Sequence, residues 1–293
     1  MRKIFINQLI KEATKNKKIV LIVGDLGYGI IEPFKKKFPD RFFNAGVAEQ
    51  SMAGLAAGLA LKGFHVFIYS IANFPTFRCA EQIRNDIDYH NLSVTIVSVG
   101  SGLGYGNLGY SHHAIQDYAL LRSFPNMIIA SPSNNQEVEG TMNYLFKNPQ
   151  PSYLRLDKSL ELDCNKKIPS INPGKWIFYK RNKSKSKNLI ISTGSVFTNC
   201  KRLSLKNKNY DWVTLPIWGM KFKNQQIKNL KKYKKVITVE NHLQDGGFGS
   251  WLSETLTQKQ NNIQTKIVSK FLDKNVIGKV GSEKYLNSRY GLK

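Results

Sequence analysis

The sequence predicts an α/β protein of two domains, each a mainly parallel sheet flanked by helices. Two observations predict it. Short β-branched runs alternate with segments of helical period along the whole chain, the pattern of parallel strands joined by crossover helices. The chain also has 293 residues, 41% of them apolar. That is more than one domain usually needs and enough for a sizeable core.

In chain order, the first half holds the strand-like runs KKIVLIV, HVFIYS, LSVTIVSV, NMIIAS and PSYLRL; the second holds NLIIST, DWVTL, KVITVE and TKIVS. Between Asp157 and Asn188, Pro169, Pro173 and the charged stretch KRNKSKSKN interrupt any apolar period, so residues 166–187 read as a linker. The expected domains are therefore 1–165 and 188–293. No repeat of fixed period is visible. One helix is especially legible. After FFNAGV, the stretch AEQSMAGLAAGLALKG places Met52, Leu55 and Leu59 at helical spacing, and Ala53, Gly54, Ala56, Ala57 and Gly58 leave its other faces thin. Gly63 supplies a stop.

Composition excludes some classes. No apolar run approaches the roughly 18 residues that cross a bilayer, and charges interrupt MRKIFINQLIKEATKNKK before a secretory segment could form. A cytoplasmic protein without membrane contact is expected. Cys79, Cys164 and Cys200 are far apart and match neither CxxC nor zinc spacing, which suits a reducing compartment. The formal net charge of +24 invites a nucleic-acid reading. However, the lysines lie in scattered short runs, Lys35 to Lys37, Lys180 to Lys187 and Lys231 to Lys235, outside any nucleic-acid motif. Solvated faces are expected, with phosphorylated substrates or an acidic partner chain as secondary beneficiaries.

Glu49 stands where strand gives way to the small-residue helix, within reach of a ligand ring. A carboxyl group withdrawn from water can stay protonated near neutral pH and donate a proton. A glutamate in a first helical turn can equally serve the helix dipole. Phe74 and Phe77, three apart, would share a helical face, as either a flat wall for a ring or a core stripe. His112 follows a loop with glycines at 100, 102, 104, 106 and 109, consistent with backbone packed close to a ligand; an imidazole there titrates near working pH. Two glycine patterns are decoys. GYGNLG is not followed directly by a helix, and no acid stands about 20 residues on, so it is no dinucleotide site. DGGFGS lacks the Lys and Ser/Thr of a P-loop and reads as a tight turn before a helix.

These segments together resemble the transketolase superfamily. FFNAGVAEQSMAGLAAGLALKG is similar to its pyrimidine-domain motif; HVFIYSIANFPTFRCAEQIRNDI to the next segment; GYSHHAIQDYALLRSFPNMIIASPSN to its histidine loop, helix and strand entry; PSYLRLDKS to the end of that domain. STGS, ITVENHLQDGGFGSWLSETL and the terminal YGL resemble its C-terminal domain. Nearly the whole chain is covered.

The resemblance implies a thiamine-diphosphate enzyme, with Glu49 sharing a proton with the aminopyrimidine ring so that the ring's exocyclic nitrogen can deprotonate the thiazolium carbon. It implies cofactor contacts from Tyr69, Phe74, Phe77 and Arg78. It implies a catalytic His112 meeting a substrate oxygen, with His113 beside it and Asp25 of the family's Asp-Leu element as further substrate contacts, and Lys158 or Arg155 facing a substrate phosphate. Magnesium in this superfamily is held by Gly-Asp-Gly and, about 25 to 30 residues later, asparagine. GDLGYG at 24–29 has Leu26 in place of the glycine and no asparagine in that window. The diphosphate domain and the Mg²⁺ ligands are therefore expected on a second chain, in an α2β2 heterotetramer whose sites lie between the two kinds of chain.

The chain departs from family transketolases where a histidine and an aspartate touch sugar hydroxyls: those places hold Gly100 and Leu108, and Gly29 replaces a serine. A site without such groups reads hydroxyls differently, so two-carbon ketol transfer in a specialised sugar pathway, such as one for surface polysaccharide, is expected. The alternatives are half of a deoxyxylulose-phosphate synthase, the β subunit of a 2-oxoacid dehydrogenase component and, from another class, a basic nucleic-acid-binding or non-catalytic interaction subunit.

Overall fold

The computed structural model describes residues 1–158, 167–182, 186–257 and 264–292. Each of the nine strand-like runs contains a strand, and three more strands appear. They are β1 (Ile19–Val23), β2 (Phe42–Asn44), β3 (His65–Ile71), β4 (Val94–Val99), β5 (Ile128–Ala130), β6 (Ser152–Leu156), β7 (Ile177–Lys180), β8 (Asn188–Ser192), β9 (Tyr210–Thr214), β10 (Ile217–Trp218), β11 (Lys235–Val239) and β12 (Lys266–Lys270). A seven-stranded sheet has the order β10-β5-β6-β4-β3-β1-β2, and a five-stranded sheet the order β12-β11-β8-β9-β7. Among the described residues, only β10 and β7 pair antiparallel, each on a sheet edge.

Both edge strands depart from the expected layout. Ile177–Lys180 lies inside the stretch read as linker, yet it pairs with β9; a four-residue strand is too short to announce itself by periodicity. Ile217–Trp218 follows β9 closely in sequence but joins the first sheet through β5, so the two halves share hydrogen-bonded backbone. Of the lysine-rich stretch, residues 183–185 lie outside the described residues, as does Cys164. Cys79 and Cys200 are buried and unpaired. No helix among the described residues is long and apolar enough to cross a membrane.

The seven-stranded sheet is buried on both faces, as parallel sheets are. Leu21, Val23, Phe67 and Tyr69 point to one side, where the helix Arg2–Lys15 lays down Phe5, Ile6, Leu9 and Ala13. Val20, Ile22, Val66 and Ile68 point to the other, where the helix Glu49–Leu61 packs Met52, Ala53, Ala56, Ala57 and Ala60. That helix matches the expected stretch, and Gly63 (φ +81°) closes it. Its buried face is the alanine face, however: Leu55, expected on the apolar stripe, is 43% exposed. Alanines let the helix approach the sheet, and that brings its first residue down to the strand ends.

In the first sheet β1 is followed by an outer neighbour, β2, and then by β3 on its other side. The chain thus reverses direction across the sheet between β1 and β3. The crevice outside the carboxyl ends of such strands is where open α/β sheets bind ligands.

Candidate functional site

Glu49, Arg78, Phe74 and His112 meet in this crevice. Glu49 opens its helix and is 3% exposed. Its Oε2 accepts a hydrogen bond from Arg78 Nη1 at 3.0 Å, whereas Oε1 is buried with no partner. An unpaired buried acceptor costs about 1–3 kcal/mol, so Oε1 is an acceptor for which a ligand donor would be a net gain. Ser70 Oγ, Asn73 Oδ1 and His113 Nδ1 are also buried and unpaired. A Cβ on Gly24 would stand 3.5 Å from Ser70 Oγ and 3.7 Å from Glu49 Oε1; both groups converge on the space beside that glycine.

Phe74 and Phe77 lie on the short helix Phe74–Phe77 that follows β3. The Arg78 guanidinium carbon sits 4.0 Å from the Phe74 ring centroid, so one guanidinium touches both the ring face and the Glu49 carboxylate. Phe77 is 46% exposed. With Phe74, Arg78, Tyr110, Gln116 and Asp245 it lines a cleft of about 800 Å³, of a size that takes cofactor-sized ligands.

His112 ends a short 3-10 turn, Tyr110–His112. Its ring meets Phe74 edge-on at 5.0 Å, and its Nδ1 shares a hydrogen with Ser111 Oγ at 2.9 Å. Partial burial, with the Arg78 charge second, lowers its pKa from the usual 6.5, so the imidazole is neutral at pH 7. Asn73, which sequence reasoning missed, holds this turn: Nδ2 donates to Ser111 O at 3.1 Å and to His113 O at 2.9 Å. One Asn before a four-residue helix carries no signal that a linear reading could have used. Lys158 is exposed, with Nζ 4.4 Å from the Tyr105 ring, and Tyr105 lies 6.4 Å from His112. The Lys158 cation and the His112 ring thus both neighbour Tyr105.

Asp25 is exposed, in the left-handed region (φ +53°). It accepts from Asn44 Nδ2 at 2.9 Å and Tyr28 OH at 3.1 Å, and these bonds, Asn44's foremost, lower its pKa.

Three expected contacts are corrected by the fold. Tyr69 is 1% exposed and stacks on Phe5 at 5.9 Å. Strand alternation sends it to the face opposite the Glu49 helix, into the core, away from any bound ring. His113 is 1% exposed, with Nε2 near Gly106 O at 3.4 Å. It cannot meet solvent or a substrate, and burial lowers its pKa.

Arg155 is wholly buried and its donors are committed: Nε to Asp117 Oδ2 at 2.6 Å, Nη1 to Tyr118 OH and Asn241 Oδ1, Nη2 to Ala114 O and Asn241 O. Burial opposes its charge, but Asp117 and the neighbouring phenols outweigh that and raise its pKa. Asp117 also accepts from Tyr153 OH at 2.5 Å, and His242 stacks on Tyr118 at 5.0 Å. Arg155 is thus the centre of a polar junction between the two halves, with no donor left for a phosphate.

The glycine patterns behave as read. GYGNLG forms a 3-10 turn at Gly106–Leu108 rather than a helix start. DGGFGS turns into the helix Phe248–Thr257, with the backbone N–H groups of Phe248 and Gly249 bonded to Glu240. At Gly100 (φ +92°) a Cβ would lie 2.1 Å from Tyr105 Cδ2, so the Tyr105 ring fills the place where a longer residue 100 would stand.

Residues 1–161 match the family profile described as transketolase, pyrimidine binding domain. A Phocaeicola vulgatus protein named as one of the subunits of an apulose-4-phosphate transketolase is 30% identical over 99% of this chain and 93% of its own length. A Methanocaldococcus jannaschii protein named as a transketolase C-terminal section is 32% identical over 100% of this chain and 92% of its own. The 1-deoxy-D-xylulose-5-phosphate synthase of Clostridium perfringens is 30% identical over 87% of this chain, but over only 41% of its own length. Among solved structures, one described as a split gene transketolase, inactive beta4 tetramer, superimposes with a TM-score of 0.82 at 28% identity, covering 100% of this chain and 93% of that one. Transketolase from Leishmania mexicana shares the fold (TM-score 0.78, 17% identity, 100% of this chain, 43% of that one).

Proposed function

The chain belongs to the transketolase family, and from that premise we propose that it supplies the pyrimidine-binding half of a thiamine-diphosphate-dependent, two-carbon ketol transfer. The observation that carries the reading is the buried, unpaired Oε1 of Glu49, whose other oxygen is held by Arg78, the guanidinium that lies over the Phe74 ring. A buried acceptor, with an aromatic residue joined to it through one guanidinium, fits an aminopyrimidine, which offers a flat ring and a ring nitrogen able to share a proton. When bound, the cofactor supplies the carbon nucleophile and the electron sink.

The chain's own residues do the rest. Glu49 shares the proton at the ring nitrogen and is held by Arg78 through its other oxygen. Phe74 and Phe77 wall the ring. His112, neutral and with Nδ1 engaged by Ser111, turns Nε2 to a substrate oxygen and moves a proton there. Lys158, exposed beside Tyr105, meets a substrate phosphate.

No cluster of three or more His, Cys, Asp or Glu residues able to hold a metal lies among the described residues. Magnesium and the diphosphate are assigned to a second, diphosphate-binding chain, with an α2β2 assembly in the cytoplasm. Relatives of nearly matching length, one named as a transketolase subunit and one as a C-terminal section, support that assignment. Gly100 and exposed Leu108 replace hydroxyl-reading side chains, and the Tyr105 ring takes up the space at Gly100. These features support a specialised phosphorylated sugar. Equal turnover of xylulose 5-phosphate with ribose 5-phosphate and of any other sugar pair would remove that specialisation.

Similarity to the synthases favours a second reading in which pyruvate is the donor; assaying pyruvate with glyceraldehyde phosphate against ketose phosphates separates the two.

The central test is Glu49→Gln in the pair assembled with a chain bearing Gly-Asp-Gly and asparagine. Turnover is expected to fall about 10²- to 10⁴-fold, with the complex unchanged by size-exclusion chromatography. Full activity of Glu49→Gln, or tight binding of magnesium and thiamine diphosphate by this chain alone, would overturn the proposal.

A further inference from the structure

We propose that Asn73 is the positioning residue of His112, acting through the peptide carbonyls on either side of that histidine. The inference rests on the role given to His112 above and extends it to a side chain that touches no reacting atom.

The amide of Asn73 has two hydrogens, and both are used on one turn: Ser111 O at 3.1 Å and His113 O at 2.9 Å. These carbonyls belong to the residues flanking His112. The turn needs such a clamp. It follows Gly109 (φ +78°), Asn107, Leu108, Tyr110 and Ser111 are exposed, and its own backbone bonds, His112 N to Gly109 O and His113 N to Tyr110 O, are local. Local bonds fix the turn's shape but not its place. Its main-chain tether to the sheet edge is the bridge between Gly102 and Ala114.

Asn73 stands two residues past the end of the central strand β3, after the buried Ala72 whose N–H bonds to Val99 O, so it sets the turn against a buried part of the fold. Phe74, the next residue, meets the His112 ring at 5.0 Å. Two consecutive residues thus grip the same histidine, one by its backbone and one by its ring. The orientation of the carboxamide follows from chemistry: reversed, it would press Oδ1 against two carbonyl oxygens. Since Oδ1 is buried without a partner, the donor side alone holds the group in place. A catalytic group displaced by about 1 Å can lose on the order of 10²-fold in rate, so the clamp acts on kcat more than on binding.

A double-mutant cycle in the assembled enzyme tests this. Asn73→Ala is expected to lower kcat about 10- to 100-fold, with thiamine-diphosphate affinity, measured calorimetrically, changed by less than about threefold. In a His112→Ala background the same substitution is expected to change kcat by less than about twofold, because the group it positions is gone. Asn73→Asp keeps the shape, removes both donors and gives the same pattern, which preserves the test if the alanine variant does not fold. Limited proteolysis at Tyr110 is expected to quicken in both variants. Equal losses with and without His112, or wild-type kcat in Asn73→Asp, overturn the inference alone. Wild-type turnover in His112→Ala overturns the reading of His112 itself, whatever Asn73 does.

Discussion

Two polar regions lie near each other and treat their buried atoms in opposite ways. At the junction between the halves, Arg155, Asp117, Tyr153, Tyr118 and Asn241 spend their hydrogen bonds on one another. In the crevice, Glu49 Oε1, Ser70 Oγ and Asn73 Oδ1 are buried and unpaired. Chemically the junction looks more like an active site, with an arginine, an aspartate, a tyrosine and a histidine in contact. That network, however, has every donor of its arginine engaged and, among these side chains, leaves only His242 Nε2 unpaired, so it is a structural rivet, whereas the crevice's unpaired buried atoms lie beside an open cleft that a ligand could fill. The region with less bonding is therefore the one proposed for chemistry.

Breaking the junction should produce the largest effect on folding. Arg155→Met leaves Asp117 buried without its cation and is expected to destabilise the protein by about 3–5 kcal/mol, read as a lower midpoint in urea. The contrast between the two regions disappears if that variant keeps wild-type stability and loses only turnover.

Acid should strike the same region next. Burial lowers the pKa of His242 to about 4, against an ordinary 6.5. The folded state therefore holds it neutral. Its stabilising contribution is complete above pH 6.5 and is lost as the pH falls from 6.5 through about 4, at about 3 kcal/mol in all. His65, also buried and lowered in pKa, extends the loss further into acid. Replacing His242 with glutamine should flatten the stability profile over that window; an unchanged slope in urea titrations would assign the acid limb elsewhere.

The crevice should respond in binding rather than folding. Phe74→Ala removes one wall of the ring and is expected to weaken thiamine-diphosphate affinity about tenfold, from the roughly 1–1.5 kcal/mol of an aromatic contact, with less than about 1 kcal/mol lost in stability. Calorimetry on the assembled pair reads the first quantity and urea unfolding the second. Lys158→Ala, exposed and stacked on Tyr105, should have the smallest effect: an increase in KM for phosphorylated substrates that is strongest at low salt, with kcat unchanged.

Much of this was legible in the chain. The strand-like runs gave the order of nine strands, because parallel strands buried on both faces are written as unbroken apolar runs. The small-residue helix, with Gly63 closing it, was readable, and so was Glu49 at its head. The two antiparallel edge strands were not, since β7 and β10 have four and two residues. Tyr69 and Arg155 were misplaced for a common reason: residue type says what a side chain can do, and only strand alternation says which side of the sheet it faces.

By itself, then, the sequence determined the local order of strands and helices and the chemical repertoire of the loops between them, because those depend on spacing and residue type along the chain. Tertiary structure alone decided which polar side chains were paired off. Asn73 reaches across 38 to 40 residues to the His112 turn and Arg155 across 86 to Asn241; the first contact follows from β3 and β4 lying side by side in one sheet and the second from how the two halves pack.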